Sequence, residues 1–244
     1  VLNVENDLTL SSTLTVNGSS SLIFKPTASG QQALRGSGTL VVNEQGGGTR
    51  SFVRVEGTTT LTIEPEITVQ AGSASFFGSS GVQTLINQGT ILAGRSNAAA
   101  GSELVLFDFE QFTNATAGTL IATGSGILEL RSGWRNEGVI RDDGSPVRLG
   151  GTFSFADVGT LDRQGGLVEI TGTLQNTDTT LALSAATGSF EVSQGGKVVG
   201  GRITTSDGAT LLVRSGTFDG VTVQSPVSVS GVLNVENDLT LSST

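Results

Sequence analysis

The chain has 244 residues, 36% of them hydrophobic, enough to bury one large core or two ordinary ones. It lacks Cys, His, Met and Tyr, which excludes disulfides, thiol chemistry and histidine-based catalysis or zinc binding. With 13 Lys plus Arg against 22 Asp plus Glu, the formal charge of -9 repels phosphate backbones and anionic lipid and argues against nucleic-acid or membrane-surface binding.

The chain opens VLNVENDLTLSST, with apolar-x-apolar triplets at Leu2-x-Val4 and Leu8-x-Leu10 around the turn formers Glu5-Asn6-Asp7. Leu14-x-Val16, Asn17-Gly18 and Leu22-x-Phe24 follow, so about 20 residues hold three short strands and three corners. That cadence predicts one rung of a β-solenoid rather than the longer, hairpin-linked strands of a sandwich. The polar stretch Lys25 to Leu34 is expected to loop out of its rung. Triplets resume at Leu40-x-Val42, Val53-x-Val55, Leu61-x-Ile63 and Ile67-x-Val69. Thr58-Thr59-Thr60-Leu61-Thr62 would suit a lattice-matching, ice-binding face. The other rungs show no Thr in register, so it reads as strand propensity.

Further along, Asn87-Gln88-Gly89-Thr90-Ile91 is echoed by Asn136-Glu137-Gly138-Val139-Ile140, and Asn114 leads into Gly118-Thr119-Leu120. Stacked rungs would let these Asn form an amide ladder at one corner; the alternative is that each caps its own turn. Ala93 to Ser102 is a second expected loop. Trp134 reads as a core side chain beside Leu130 and Val139 rather than a lone sugar platform. Triplets continue from Val147-x-Leu149 to Val227-x-Val229, no window shows a 3.6-residue apolar period, and only four Pro are present.

Asp142-Asp143 and Asn176-Thr177-Asp178 resemble the DD and NTD elements of polygalacturonases, but their order is reversed and the family's His is absent. Asp142-Asp143-Gly144 reads instead as a solvated turn. Glu5-Asn6-Asp7 and Asp142-Asp143 lack the spacing of calcium loops. No catalytic residue, metal site or cofactor is therefore assigned, and the chain is read as a non-enzyme. No apolar run is long enough to span a bilayer as a helix.

Val232 to Thr244 repeats Val1 to Thr13 at every position, offset by 231. We expect residues 1–231 to be one solenoid unit and 232–244 to be the first rung of the next tandem copy. Val221-x-Val223, Val227-x-Val229, Leu233-x-Val235 and Leu239-x-Leu241 advance by six residues across the join without a break. The expected inter-repeat joint comprises Leu2, Val4, Leu8, Leu10, Val227, Val229, Leu233, Val235, Leu239 and Leu241, with the first four stacking against Val227 and Val229. Both ends lack polar caps, and a unit of roughly 11–12 rungs would extend about 55 Å at the spacing of paired strands.

LTIEPEITVQAGS (61–73), LINQGTILAG (85–94), WRNEGVIRDDGSPVRLGGTF (134–153), GGLVEITGTLQNTDTTLAL (165–183), GGRI (200–203) and FDGVTV (218–223) resemble giant tandem-repeat β-helical surface proteins of environmental, planctomycete-like bacteria. The resemblance implies an all-β, right-handed parallel β-helix in a secreted fibre or adhesin at the cell surface, and transfers no catalytic residue. The expected partner is the chain itself, as the next repeat or through lateral bundling. Surface glycans are the alternative partner, gripped by the loops at 25–34 and 93–102. A pectin-lyase-like polysaccharide lyase or hydrolase is the third reading.

Overall fold

The computed structural model describes residues 1–43, 51–72, 74–79, 81–94, 103–124 and 126–242. Its strands pair in parallel and stack as a solenoid of about 10 turns with roughly 22 residues per turn, slightly fewer and longer turns than the cadence implied. The first turn shows the plan. Strand β1 (Leu2–Val4) lies on a first face, β2 (Leu8–Leu10) on a second and β3 (Thr13–Asn17) on a third; β4 (Ser21–Phe24) then returns to the first face. β1 pairs with β4, while β2 pairs with β5 (Gln31–Gly36).

Alternation builds the core because every second side chain of a strand points inward. Register on the first face aligns Leu2, Leu22, Val53, Phe76, Phe107, Leu130, Leu149, Ile170, Val192, Val213 and Val229 in one unbroken column. Phe76, Phe107 and Phe112 stack in the core, with successive centroids 4.8 and 5.1 Å apart. Trp134 is buried, packs on Phe153 at 5.1 Å, and donates its indole N–H to the Gly150 carbonyl at 2.9 Å. It is a core residue.

The three faces form two hydrogen-bonded sheets, one of 20 strands and one of seven. Long strands that run round corners, Glu103–Asn114, Gly126–Asn136, Leu211–Val223 and Val227–Leu241, merge faces that the sequence presents as separate. The only helix among the described residues is one turn, Phe155–Val158. No helix there is long and apolar enough to cross a membrane.

Two expected loops differ. Lys25 to Leu34 is not one loop: β5 begins at Gln31, and Gln32, Ala33 and Leu34 are buried. Gln32 tolerates burial because its amide donates to the Val4 carbonyl at 3.2 Å and to that of Lys25. Of the second, Ala93 closes the strand Thr90–Ala93, and 95–102 lies outside the described residues.

Candidate functional site

Two of the motifs with chemical potential are structural. The Asn87 amide donates to the Asn114 side-chain oxygen at 2.7 Å, Asn114 donates likewise to Asn136 at 2.7 Å, and Asn136 donates to the Val158 carbonyl at 2.8 Å. All three are buried. The expected amide ladder is therefore present at the end of the second face. Glycine beside it is obligatory: a Cβ on Gly138 would lie 2.1 Å from the Gly118 carbonyl oxygen.

Asp142 is not in a solvated turn. In Val139-Ile140-Arg141-Asp142 the alternation puts Ile140 and Asp142 on the inward side, and Asp142 is completely buried, opposite Arg163. The Arg163 guanidinium donates to Asp142 and, at 2.7 and 2.8 Å, to the carbonyls of Thr187 and Gly166. Asp142 also accepts the backbone N–H of Gln164 and Gly166 at 2.7 and 2.8 Å. A buried carboxylate that accepts two backbone N–H groups and a guanidinium is a strut between turns. Asn176, from the other polygalacturonase-like element, is buried and donates to the Arg202 carbonyl at 3.0 Å.

Thr does keep register, though on the third face rather than around Thr58–Thr62. Thr13, Thr39, Thr68, Thr90 and Thr119 align strand over strand. The next outward column is Thr15, Val41, Gln70, Leu92 and Ile121. A single Thr column beside unlike residues is not the two-dimensional array that lattice matching needs.

The remaining candidate surface is the pair of end turns. At the carboxyl end the strand Val227–Leu241 wraps all three faces and pairs only with Leu211–Val223. Beside it opens an apolar recess of about 610 Å³ lined by Phe218, Val223, Val229, Leu233, Leu239 and Leu241. Val229, Val235 and Leu241 are 50%, 50% and 72% exposed. At the amino end, Val1 and Leu2 are exposed, while Val4 and Leu10 are buried and Leu8 is half-buried.

The structure separates the ten expected joint residues between these two ends. Leu2 and Val4 lie on the first face and Leu8 and Leu10 on the second. At the far end Val227 and Val229 lie on the first face, Leu233 and Val235 on the second, and Leu239 and Leu241 on the third, all within one turn. Val227-x-Val229 and Leu233-x-Val235 are thus neighbours around the coil rather than along its axis. The duplicated peptide sits one face further round at its second occurrence.

The two copies also use their Glu-Asn-Asp corner differently. At the amino end Asp7 reaches forward, accepting the Ala33 N–H at 2.8 Å and the Arg35 guanidinium at 2.6 Å. At the carboxyl end Glu236 and Asn237 reach back, to Lys197 at 2.8 Å and to Asp219 at 2.7 Å. Lys197 also holds Asp219 at 2.8 Å. Hydrogen bonds from Lys197 and then Asn237 hold the Asp219 carboxyl below its usual range, and those to Asp219 and Glu236 raise Lys197. Glu5, Asn6 and Asp238, the members unused at each end, are exposed.

A second recess, of about 630 Å³, lies on the side of the coil, lined by Phe52, Phe77, Leu106, Asp108, Glu110 and Ser132. Phe52 and Phe77 are half-buried and meet edge to face at 5.7 Å. Among the described residues no group of three or more carboxylates that would hold a metal ion occurs.

These features define the chain as a parallel β-solenoid. No protein-family model, curated protein or solved structure matches it.

Proposed function

We propose that this chain is a structural rod element: one repeat of a secreted surface protein whose units stack head to tail into an extracellular fibre for attachment, stalk or matrix. The observation that carries this reading is the terminal strand Val227–Leu241. It presents Val229, Val235 and Leu241 beside an unpaired strand edge. Such an edge pairs with a further strand unless polar groups or bulges block it. Each of these side chains has on the order of 1 kcal/mol of burial still to gain. The extracellular placement rests on the resemblance to tandem-repeat surface proteins and on a polar composition of Ser, Thr, Asn, Gln and Gly with few charges. Load would run along the backbone hydrogen bonds, which lie parallel to the axis of the coil. Sedimentation tests the reading: the chain should form concentration-dependent linear oligomers, and Val229→Asp with Val235→Asp should abolish them. A wild-type chain monomeric at all concentrations contradicts it.

A carbohydrate-binding module is the second reading, favoured by the half-buried rings of Phe52 and Phe77 above Asp108 in the side recess. Aromatic faces pack on the C–H faces of sugars while carboxylates accept their hydroxyls. Glycan-array binding that is lost in Phe52→Ala and Phe77→Ala supports it; an array without signal removes it.

A further inference from the structure

The two copies of VLNVENDLTLSST are seen with opposite edges paired. In the first, β1 and β2 pair only with the following turn, through β4 and β5. In the second, Val232 to Leu241 pairs only with the preceding turn. Because the peptide is the same, the molecule contains its own example of what covers the open edge of the terminal strand. Leu2 lies opposite Leu22, Val4 opposite Phe24, Leu8 opposite Leu34 and Leu10 opposite Gly36. The last match is selective, since a Cβ on Gly36 would lie 2.2 Å from the Leu10 carbonyl oxygen.

We infer that the occupant of the terminal edge is the Ser21–Phe24 and Gln31–Gly36 pair of a second copy of this sequence, with Val232 to Leu241 taking the place of that copy's Val1 to Leu10. The inference rests on the rod reading above and specifies its joint. In the merged joint Leu233 and Val235 cover Leu22 and Phe24, and Leu239 covers Leu34. The corner supports this, because Glu236 and Asn237 bind backward while the forward contact is made by Asp7, whose counterpart Asp238 is exposed. The two sets of contacts use different residues of the peptide, and the corner backbone changes between them, since Asn237 and Asp238 have positive φ where Asn6 and Asp7 do not. In a tandem chain one peptide serves both units. Between separate chains, the carboxyl-terminal copy displaces its twin, which its own tether favours through high effective concentration.

A geometric consequence follows. Leu2-x-Val4 is on the first face and Leu233-x-Val235 on the second, so each unit is turned by one face relative to the last. Side features such as the Phe52–Phe77 recess then wind around the rod and return to the same line every third unit.

Disulfide trapping tests the joint, since the chain has no Cys of its own. Thr9 lies opposite Arg35, so the joint puts Thr240 of one copy opposite Arg35 of the next. Simple end stacking without exchange would continue the first-face column, placing Val229 over Leu2 and, twelve residues on, Leu241 over Leu14, which brings Thr240 opposite Thr13. Neighbouring strands lie about 4.8 Å apart, within the reach of a disulfide. In each pair the two positions sit at opposite ends of the coil, so neither links within one chain. Oxidised full-length Thr240→Cys/Arg35→Cys should give a ladder of linked chains, at least about ten-fold more than Thr240→Cys/Thr13→Cys, with the 35–240 peptide identified by mass spectrometry. Adding Leu2→Asp and Val4→Asp should increase the ladder, and Leu233→Asp with Val235→Asp should erase it. Linking through 13–240 alone overturns the exchange and leaves the rod reading standing. No linking in either variant removes both.

Discussion

The first-face column joins two regions of different character. Nine members, from Leu22 to Val213, are 2% exposed or less, whereas its end members Leu2 and Val229 are 42% and 50% exposed. Polar groups follow the same division. Inside, Asp142 and the Asn ladder are buried and hydrogen-bonded between turns, and Asp142 is paired with the half-buried Arg163. At the carboxyl end, the fastenings are ion pairs nearer the surface, from the half-buried Lys197 to the half-buried Asp219 and the exposed Glu236. The same alternating strand pattern thus gives side chains that are buried where a strand is paired on both sides and exposed where it is paired on one.

Breaking the interior should cost most. Phe107→Ala removes the ring stacked between Phe76 and Phe112 and should destabilise by about 3–5 kcal/mol. The result should appear in urea melts and as faster hydrogen exchange in the flanking turns. Asp142→Ala leaves the Arg163 guanidinium without its carboxylate and should cost about 3 kcal/mol; Asp142→Ala with Arg163→Met should recover part of that, because the unpaired charge is gone. Failure of the double variant to recover anything would mean that the carbonyls of Thr187 and Gly166 need the guanidinium more than the guanidinium needs Asp142. Asn114→Ala interrupts the ladder at its middle and should cost about 1–3 kcal/mol, with raised exchange at the amides around Asn87 and Asn136.

The smallest effect lies at the end. Asp219 has a folded-state pKa below its ordinary 3.8, so it stabilises the terminal strand above that value and the contribution is lost as pH falls through the lower folded one. Lys197, raised above 10.5, contributes below that value and loses its effect as pH rises through the folded one. Both act at neutral pH. Protection of Val232 to Leu241 amides should decline below pH 3.8, while that of Ile170 stays constant. Lys197→Ala should produce the same loosening at neutral pH; equal loosening of both regions would erase the distinction between end and interior.

Much of this architecture is legible in the sequence because period-two triplets and Gly-Asn corners encode rungs locally. The Asn ladder is legible too, since the wording around Asn87, Asn114 and Asn136 repeats. Asp142 is hidden because Asp-Asp-Gly imitates a turn, although alternation from Ile140 points it inward. The Thr column is hidden by unequal turns: Thr13, Thr39, Thr68 and Thr90 align across connections of different length. The joint is half legible. A six-residue cadence orders Val227, Leu233 and Leu239 but carries no information about which face each occupies, because the three faces use the same triplet.

Electron microscopy of the full chain at increasing concentration addresses assembly directly. About 10 turns at about 4.8 Å each make one unit about 50 Å long. Head-to-tail joining predicts rods of constant width whose lengths are multiples of that value. Particles that stay one unit long at every concentration, or that grow sideways, would contradict it.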